Sequence, residues 1–159
     1  MAIKSAVNIL LYSVAFGGGV MHSYIVSPLA FKYLPREEFG KLQNKVFPIY
    51  FIGQAAAPIL LGVTSPVLSN VALSLLGVSL VAGALNYFWC LPTCQRIKEE
   101  KLKLIADKKH EHVVDGETKP TDEMAALNKQ FGKHHGFSSI FNLVSLVTLG
   151  AYGVLLARP

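Results

Sequence analysis

Charged side chains are what this sequence lacks over most of its length. Only 16% of its 159 residues are Asp, Glu, Lys or Arg, whereas a typical soluble domain contains about 25%. None of these residues falls in four apolar stretches, which cover residues 6–31, 47–63, 67–90 and 137–156. Because a helix needs roughly 20 mostly apolar residues to cross the hydrocarbon core of a bilayer, the stretches predict four membrane spans and exclude a soluble domain.

The four stretches are continuously apolar, whereas the strands of a membrane barrel alternate between apolar and polar residues. The sequence therefore predicts an all-α integral membrane protein, a four-helix bundle that forms one domain over residues 1–159. The second stretch carries the weakest signal of the four, because it is the shortest and contains Pro48 and Pro58.

The residue patterns of enzymes and metal sites are also missing. The spans contain no acidic residue, and the chain has no glycine-rich phosphate loop and no redox CxxC motif. The histidine pairs 110/112 and 134/135 lack the spacing and the thiol or carboxylate neighbours of a metal site. We therefore expect no catalytic residue, no cofactor and no metal. An enzyme that acts on lipid is disfavoured because an acid–base pair is missing.

Positive charge is distributed unevenly between the spans. Lys and Arg number four between the first two spans and nine between the last two, whereas only Lys4 and Arg158 lie on the other side. Because positively charged loops remain cytoplasmic, we expect both long connections in the cytoplasm and both chain ends outside or in the lumen. The basic loops are expected either to bind anionic lipid headgroups or to be merely solvated. The net charge of +5 does not indicate nucleic-acid binding.

Cysteine is scarce, and both cysteines lie at the cytoplasmic end of the third span. Cys90 and Cys94 are four residues apart, and a disulfide is not expected in a reducing compartment. Two interpretations remain open, which are S-acylation at the membrane surface and inert thiols.

Two cytoplasmic elements are predicted. Phe39, Leu42, Val46 and Phe47 recur at helical spacing among lysines, which is typical of an interfacial helix. The second is a helical loop over about residues 92–135. Its parts are a charged helix at 93–109 with Ile97, Leu104 and Ile105 on one face, a mobile segment at 110–120, and a helix capped by Thr121 with Met124, Leu127 and Phe131 on one face.

Polar side chains inside the spans are the candidate site residues. In the first span, small residues recur every four positions at Ala15, Gly19, Ser23 and Ser27, with His22 beside them. Gln54, Asn86 and Asn142 are further polar residues at membrane depth. They indicate either close helix packing with interhelical hydrogen bonds or a polar core that binds a substrate, in which His22 acts as ligand or proton carrier.

Three motifs in this order resemble the transmembrane protein 205 family of small four-span membrane proteins. They are Pro35-Arg36-x-x-Phe39-Gly40-x-x-Gln43-x-x-x-Phe47-Pro48-x-Tyr50-Phe51, Asn86-x-x-Trp89-x-x-Pro92-Thr93 and His135-Gly136-x-Ser138-Ser139-x-x-Asn142-Leu143. The resemblance implies four spans, and it implies no catalytic residue set. Midway along the first span, His22-Ser23-Tyr24 stands where the family has an aromatic-rich stretch.

The three motifs lie at the cytoplasmic ends of the predicted helices. We therefore expect Arg36, Gln43, Asn86 and His135 to meet there in one polar cluster.

These observations favour a non-enzymatic scaffold or accessory subunit that binds other membrane proteins or a second copy of itself. The alternative is an oligomeric transporter with a path for a small solute through the polar core. The short second span fits the thinner membrane of the endoplasmic reticulum or another endomembrane better than the plasma membrane.

Overall fold

A computed structural model describes residues 2–114 and 116–157, and it consists of four long helices and one short hairpin. Helix α1 covers residues 2–33, α2 covers Arg36–Thr64, α3 covers Asn70–Ala106 and α4 covers Asp122–Leu156. Strands β1 (Glu111–Val114) and β2 (Glu117–Pro120) lie between α3 and α4. All four helices are long and apolar enough to cross a membrane, which confirms the predicted all-α membrane bundle.

The apolar side chains that point away from the bundle form a surface suited to lipid. Ile3 is 82% exposed, and Ile49 and Phe88 are each 74% exposed. Large apolar side chains exposed at this density would be an aggregation hazard in water, whereas hydrocarbon accommodates them and tolerates only structures whose backbone is hydrogen-bonded internally. The protein is therefore embedded in a membrane.

Helix α3 is the central element, because it packs against both α2 and α4. Its contact with α2 is closest at Gly83, where an added Cβ would lie 2.9 Å from the backbone of Gln54 and Ala55. Its contact with α4 contains a buried bond of 2.8 Å between the hydroxyls of Ser79 and Ser145. Small residues thus let these helices approach closely, which is typical of helix contacts in lipid.

Two of the helices contain π-helical turns. In α1 they are Ser13–Gly17 and His22–Val26, and in α3 there is one at Asn86–Cys90. A π-helical turn inserts one residue into the helix and rotates the side chains that follow, and such turns are frequent at functional sites.

The separate interfacial helix predicted around Phe39 to Phe47 is wrong. These residues form the first turns of α2, which continues through Pro48 and Pro58 to Thr64. The physical reason is that the buried residues of α2 follow one uninterrupted helical spacing across both segments. They are Gln43, Phe51, Gln54, Pro58 and Leu61. Helix α2 therefore packs into the bundle from Gln43 to Leu61.

The two helices predicted between the third and fourth spans are continuations of those spans. Residues after Cys90 extend α3 to Ala106, and residues from Asp122 begin α4. These two extensions enclose a small core of Ile97, Leu104, Met124 and Leu127, with Phe131 packed against it. Thr121 caps α4 by accepting a bond from the Met124 amide at 3.4 Å, as predicted.

Two predictions about this region need correction. Ile105 is 46% exposed and does not share the buried face with Ile97 and Leu104. The segment 110–120, predicted to be mobile, forms the β1–β2 hairpin with Val114 opposite Glu117. The overlooked signal is the Asp-Gly pair at 115–116, which favours a two-residue hairpin turn, and Gly116 has the positive φ of 81° that such a turn requires. Asp115 itself, like Arg158 of the topology argument, lies outside the described residues.

Candidate functional site

Asn142 is the centre of a hydrogen-bonded network inside the membrane. Its Oδ1 accepts bonds of 2.7 Å from the Tyr50 hydroxyl and from Gln54 Nε2. Its Nδ2 donates to Ser23 Oγ at 2.9 Å, and Ser23 Oγ lies 3.1 Å from the Tyr50 hydroxyl. Asn86 Nδ2 completes the set by donating to Gln54 Oε1 at 3.4 Å. We call these five residues the central network, and they connect all four helices.

The structure thus brings together Gln54, Asn86 and Asn142, the three amides that the sequence marked at membrane depth. Tyr50 was missed, although it stands one helical turn before Gln54, on the same face of α2.

A second network lies nearer the opposite end of the bundle. Asn8 Nδ2 donates to the Leu61 carbonyl at 2.9 Å and to Thr64 Oγ1 at 2.8 Å. The Tyr152 hydroxyl lies 3.0 Å from Asn8 Oδ1 and 2.9 Å from Ser65 Oγ. This network fixes both α1 and α4 to the turn between α2 and α3, and it blocks the bundle interior at this end.

Between α1, α2 and α4 lies a cavity of about 400 Å³, which we call the cleft. It occupies the half of the bundle that contains the short link between α1 and α2. Ser23, Tyr50 and Asn142 of the central network form its inner end, and four phenylalanines, 31, 39, 47 and 51, form much of its wall. Its polar wall residues are His22, Ser27, Gln43, His135, Ser138 and Ser139.

Helical periodicity explains how the three helices supply this lining. On α2, Gln43, Phe47 and Phe51 are spaced four residues apart, and so are His135 and Ser139 on α4; residues at this spacing share one helix face. On α1, the π-helical turn His22–Val26 shifts the phase, so that His22, Ser23 and Ser27 all reach the cleft.

His22 is engaged with its neighbours in the cleft. Its Nε2 lies 3.3 Å from Ser27 Oγ. Its ring is 4.5 Å from the Tyr50 ring and 6.2 Å from that of Phe47, measured between centroids. His22 therefore belongs to the cleft wall and is not hydrogen-bonded to the Gln54–Asn86–Asn142 part of the interior.

Gln43 is the residue in the cleft whose hydrogen bonding is incomplete. Its side chain is almost fully buried, with 3% exposure. Nε2 approaches Ser27 Oγ at 3.5 Å, and Oε1 has no partner among the described residues. The buried Oδ1 of Asn86 also has no partner, but Asn86 does not line the cleft.

The cytoplasmic cluster predicted for Arg36, Gln43, Asn86 and His135 is only partly assembled. Gln43 and His135 line the same cleft, whereas the Arg36 guanidinium lies over the Phe31 ring at 3.8 Å. Asn86 pairs with Gln54, which is 11 residues beyond Gln43 on α2 and hence about 16 Å deeper at 1.5 Å per residue. The helix rise therefore separates Asn86 from Gln43.

Gly19, the remaining candidate packing residue, is buried against α4. A Cβ added there would lie within 2.6 Å of Leu146 Cδ2. This contact and the Ser23–Asn142 bond hold the middle of α1 against α4. The packing interpretation of the small-residue stripe therefore applies at Gly19 and Ser23.

No Asp, Glu, Lys or Arg lines the cleft. A small space of about 30 Å³ adjoins it and shares Gln43 and His135 with it. Cys90, Cys94 and Lys98 border this space, and the Lys98 ammonium donates to Asn44 Oδ1 at 3.0 Å. Cys90 is buried, which favours an inert thiol there. Within residues 2–114 and 116–157, no three His, Cys, Asp or Glu side chains are placed to share a metal ion.

An outward groove between α1 and α2 is a separate feature of the surface. It has a volume of about 420 Å³, and its lining includes Ala15, Gly18, Gly53 and Ala57. A Cβ added at Gly18 or Gly53 would meet nothing within 4 Å. The backbones along this groove are therefore accessible from the lipid.

Comparison with known proteins relates the chain to a family without an assigned activity. Residues 10–103 match the family model described as "Domain of unknown function (DUF4149)". A relative from Aspergillus fumigatus (strain ATCC MYA-4609 / CBS 101355 / FGSC A1100 / Af293), "Xanthocillin biosynthesis cluster protein D", is 27% identical over 158 residues, covering 94% of this chain and 86% of the relative. No solved structure matches the chain. The matched residues include most of α1 and all of α2, which form two sides of the cleft.

Proposed function

We propose that this chain, which belongs to the DUF4149 family of domains of unknown function, is a non-enzymatic accessory protein that holds a small molecule in the cleft. The observation that carries the proposal is the buried Gln43 side chain, whose Oε1 lacks a partner beside a cavity of about 400 Å³. An unsatisfied buried acceptor costs about 1–3 kcal/mol. A bound molecule that donates a hydrogen bond recovers this free energy.

The size and composition of the cleft support binding. Ligand sites in proteins measure about 300–1,000 Å³ and combine apolar walls with a few placed polar groups. The four phenylalanines and the few amide, hydroxyl and imidazole groups of the cleft match this description.

The same lining argues against catalysis. Ser27 Oγ and His22 Nε2 are 3.3 Å apart, which resembles a nucleophile–base pair. Such a pair needs a third group that orients the imidazole, and neither Asp nor Glu lines the cleft. We therefore place Ser27 and His22 in the binding wall.

Transport through a polar path is the alternative function. A solute that crossed the bundle interior would have to break the central network and then pass the network of Asn8, Ser65 and Tyr152, whose three side chains are all buried. This arrangement favours a cleft that is closed toward the end of the bundle that holds Asn8, Ser65 and Tyr152. Transport by an oligomer remains the second proposal, and a flux measurement in liposomes would reveal it.

The accessory role needs a partner, and the groove between α1 and α2 fits a transmembrane helix of another membrane protein. Small residues allow close backbone approach, which drives helix association in lipid.

The basic cytoplasmic loops are proposed to contact anionic headgroups, and the endoplasmic reticulum or another endomembrane is the proposed location. The resemblance to the transmembrane protein 205 family stays a prediction. The relative's name places that protein in a biosynthesis cluster and supplies no activity for this chain.

Native mass spectrometry of the protein, purified from its own membrane in mild detergent, tests the proposal. We expect the wild-type chain to carry a bound small molecule, together with a partner protein if the detergent preserves the complex. The variant Ser138→Phe, which places a large ring in the cleft, should lose the small molecule and keep its thermal stability. The control Val147→Phe changes a lipid-facing residue of α4 and should retain it. Equal adduct-free spectra from all three proteins would contradict the proposal.

A further inference from the structure

We infer that the ligand of the cleft is an uncharged amphiphile that donates a hydrogen bond from a hydroxyl or amide N–H group to Gln43. This inference rests on the proposed function and names the chemistry of its ligand. Three observations carry it: the charge of the cleft, the unpartnered end of the Gln43 amide, and the shape of the cleft.

Charge is the first observation. A charged group that leaves water needs an opposite charge or several strong hydrogen bonds, because burial of an unpaired ion is very unfavourable. Among the residues that line the cleft there is no Asp, Glu, Lys or Arg. A fatty acid anion or an alkylammonium ion would find no permanently charged counter-ion in this lining, whereas a neutral alcohol or amide needs none.

The Gln43 amide is the second observation. One end of the amide reaches Ser27 Oγ at 3.5 Å, and the other end finds no partner among the described residues. The free atom is assigned as the carbonyl oxygen, which only accepts hydrogen bonds. A ligand must therefore present a donor to it. The amides of Asn142 and Gln54 do not need a donor from a ligand, since they bond to each other. Asn142 also accepts a bond from Tyr50, and Gln54 accepts one from Asn86.

The shape of the cleft is the third observation. Its inner end is closed where Ser23 bonds to Asn142. Farther along, Pro28 on α1 and Ser139 on α4 are exposed, so the cleft opens laterally between α1 and α4. Phenylalanines form much of the wall. An amphiphile can therefore place its donor at Gln43, lay its apolar part against these rings, and enter from the bilayer.

A photolabelling competition tests this chemistry on the full chain in phosphatidylcholine vesicles. The probe is decanol carrying a diazirine, and labelled peptides are identified by mass spectrometry. Unlabelled competitors share one chain length and differ at the head: decanol, decyl methyl ether, decanoate and decylammonium. We expect saturable labelling of peptides from the cleft, with decanol competing roughly tenfold better than the ether, which lacks a donor, and better than either ion.

The variant Gln43→Leu separates recognition from structure. It removes the hydrogen-bond acceptor, so decanol should bind roughly tenfold more weakly. It also removes the cost of burying that acceptor without a partner, so the melting temperature should stay the same or rise. A purely structural Gln43 would instead lower the melting temperature and leave the decanol-to-ether ratio unchanged. The control Ile52→Leu, on the exposed side of α2, should change neither value.

The outcomes distinguish the two proposals. If saturable cleft labelling persists but the ether or an ion competes as well as decanol, or Gln43→Leu binds decanol normally, the inference about the ligand is wrong and the cleft still binds small molecules. If the decanol probe labels no peptide of the cleft saturably, the proposed binding function is overturned as well.

Discussion

At the scale of the residue, the structure separates polar side chains that are satisfied from those that are not. The side-chain oxygen and nitrogen of Asn142 are bonded to three neighbours on α1 and α2. Gln43 lies on the same side of α2 as Gln54 and Tyr50, yet one end of its amide is free. Buried polar groups are almost always paired. The first pattern therefore indicates a structural role, and the second indicates a place for a missing partner.

Replacement of Asn142 by Leu tests the structural role of the central network. The change leaves Ser23, Tyr50 and Gln54 without their common partner. We expect a loss of about 1–3 kcal/mol of stability, measured as thermal or denaturant unfolding in detergent micelles. Asn70→Leu is the matched control, because Asn70 is exposed at the start of α3. Equal stability of the two variants would show that the network does not hold the helices together.

At the scale of the element, backbone contacts decide where the helices meet. Gly83 places α3 directly on the backbone of α2 at Gln54 and Ala55, and this close approach brings Asn86 within reach of Gln54. Gly77, six residues earlier on α3, faces open space. The two glycines have the same local sequence setting, a run of small and aliphatic residues, and only the packing of α2 distinguishes them.

Substitution of both glycines by alanine measures that difference. Gly83→Ala should destabilise the protein by about 1–3 kcal/mol, because the new methyl group meets backbone that cannot rotate away. Gly77→Ala should be neutral or stabilising, since alanine favours a helix by up to about 1 kcal/mol over glycine. Unfolding followed by circular dichroism in one detergent compares the two directly. A Gly83→Ala protein as stable as the wild type would place the α2–α3 contact elsewhere.

At the scale of the whole molecule, the bundle has two different ends. One end holds the cleft, the basic residues on either side of the α1–α2 link, and the extensions of α3 and α4 beyond the spans. The other end is filled by Asn8, Ser65 and Tyr152, with an apolar core of Leu61, Leu149 and neighbouring residues. The distribution of positive charge predicts that the cleft lies in the cytoplasmic half of the membrane.

Cysteine accessibility tests this orientation in sealed vesicles. In a background with Cys90 and Cys94 replaced by alanine, Val113→Cys places a thiol on the β1–β2 hairpin, where Val113 is 72% exposed. An impermeant maleimide added from the cytoplasmic side should label this variant. Lys4→Cys, near the opposite end of α1, should react only after the vesicles are opened. The reverse pattern would invert the assigned topology and place the cleft on the other face.

The membrane bundle could be predicted from the sequence because it depends on local composition. Long runs without charge specify spanning helices wherever their neighbours lie, since backbone groups in hydrocarbon must bond within the helix. The Thr121 cap and the apolar face of Met124 and Leu127 likewise depend on residues that are close in sequence. The β1–β2 hairpin could also have been predicted from the sequence, because of the Asp-Gly pair at 115–116.

Only the tertiary structure decided which polar residues meet. Gln54 and Asn142 are 88 residues apart and share a bond, whereas Arg36 and Asn86, which the motifs grouped together, lie apart. Pairing of this kind depends on the register of one helix against another. Small residues such as Gly83 set this register through contacts with a neighbouring helix, and no local sequence pattern predicts those contacts. The same helix register leaves the Gln43 side-chain oxygen without a partner among the described residues, beside an open cleft. The candidate site could therefore be located only from the packing of the helices.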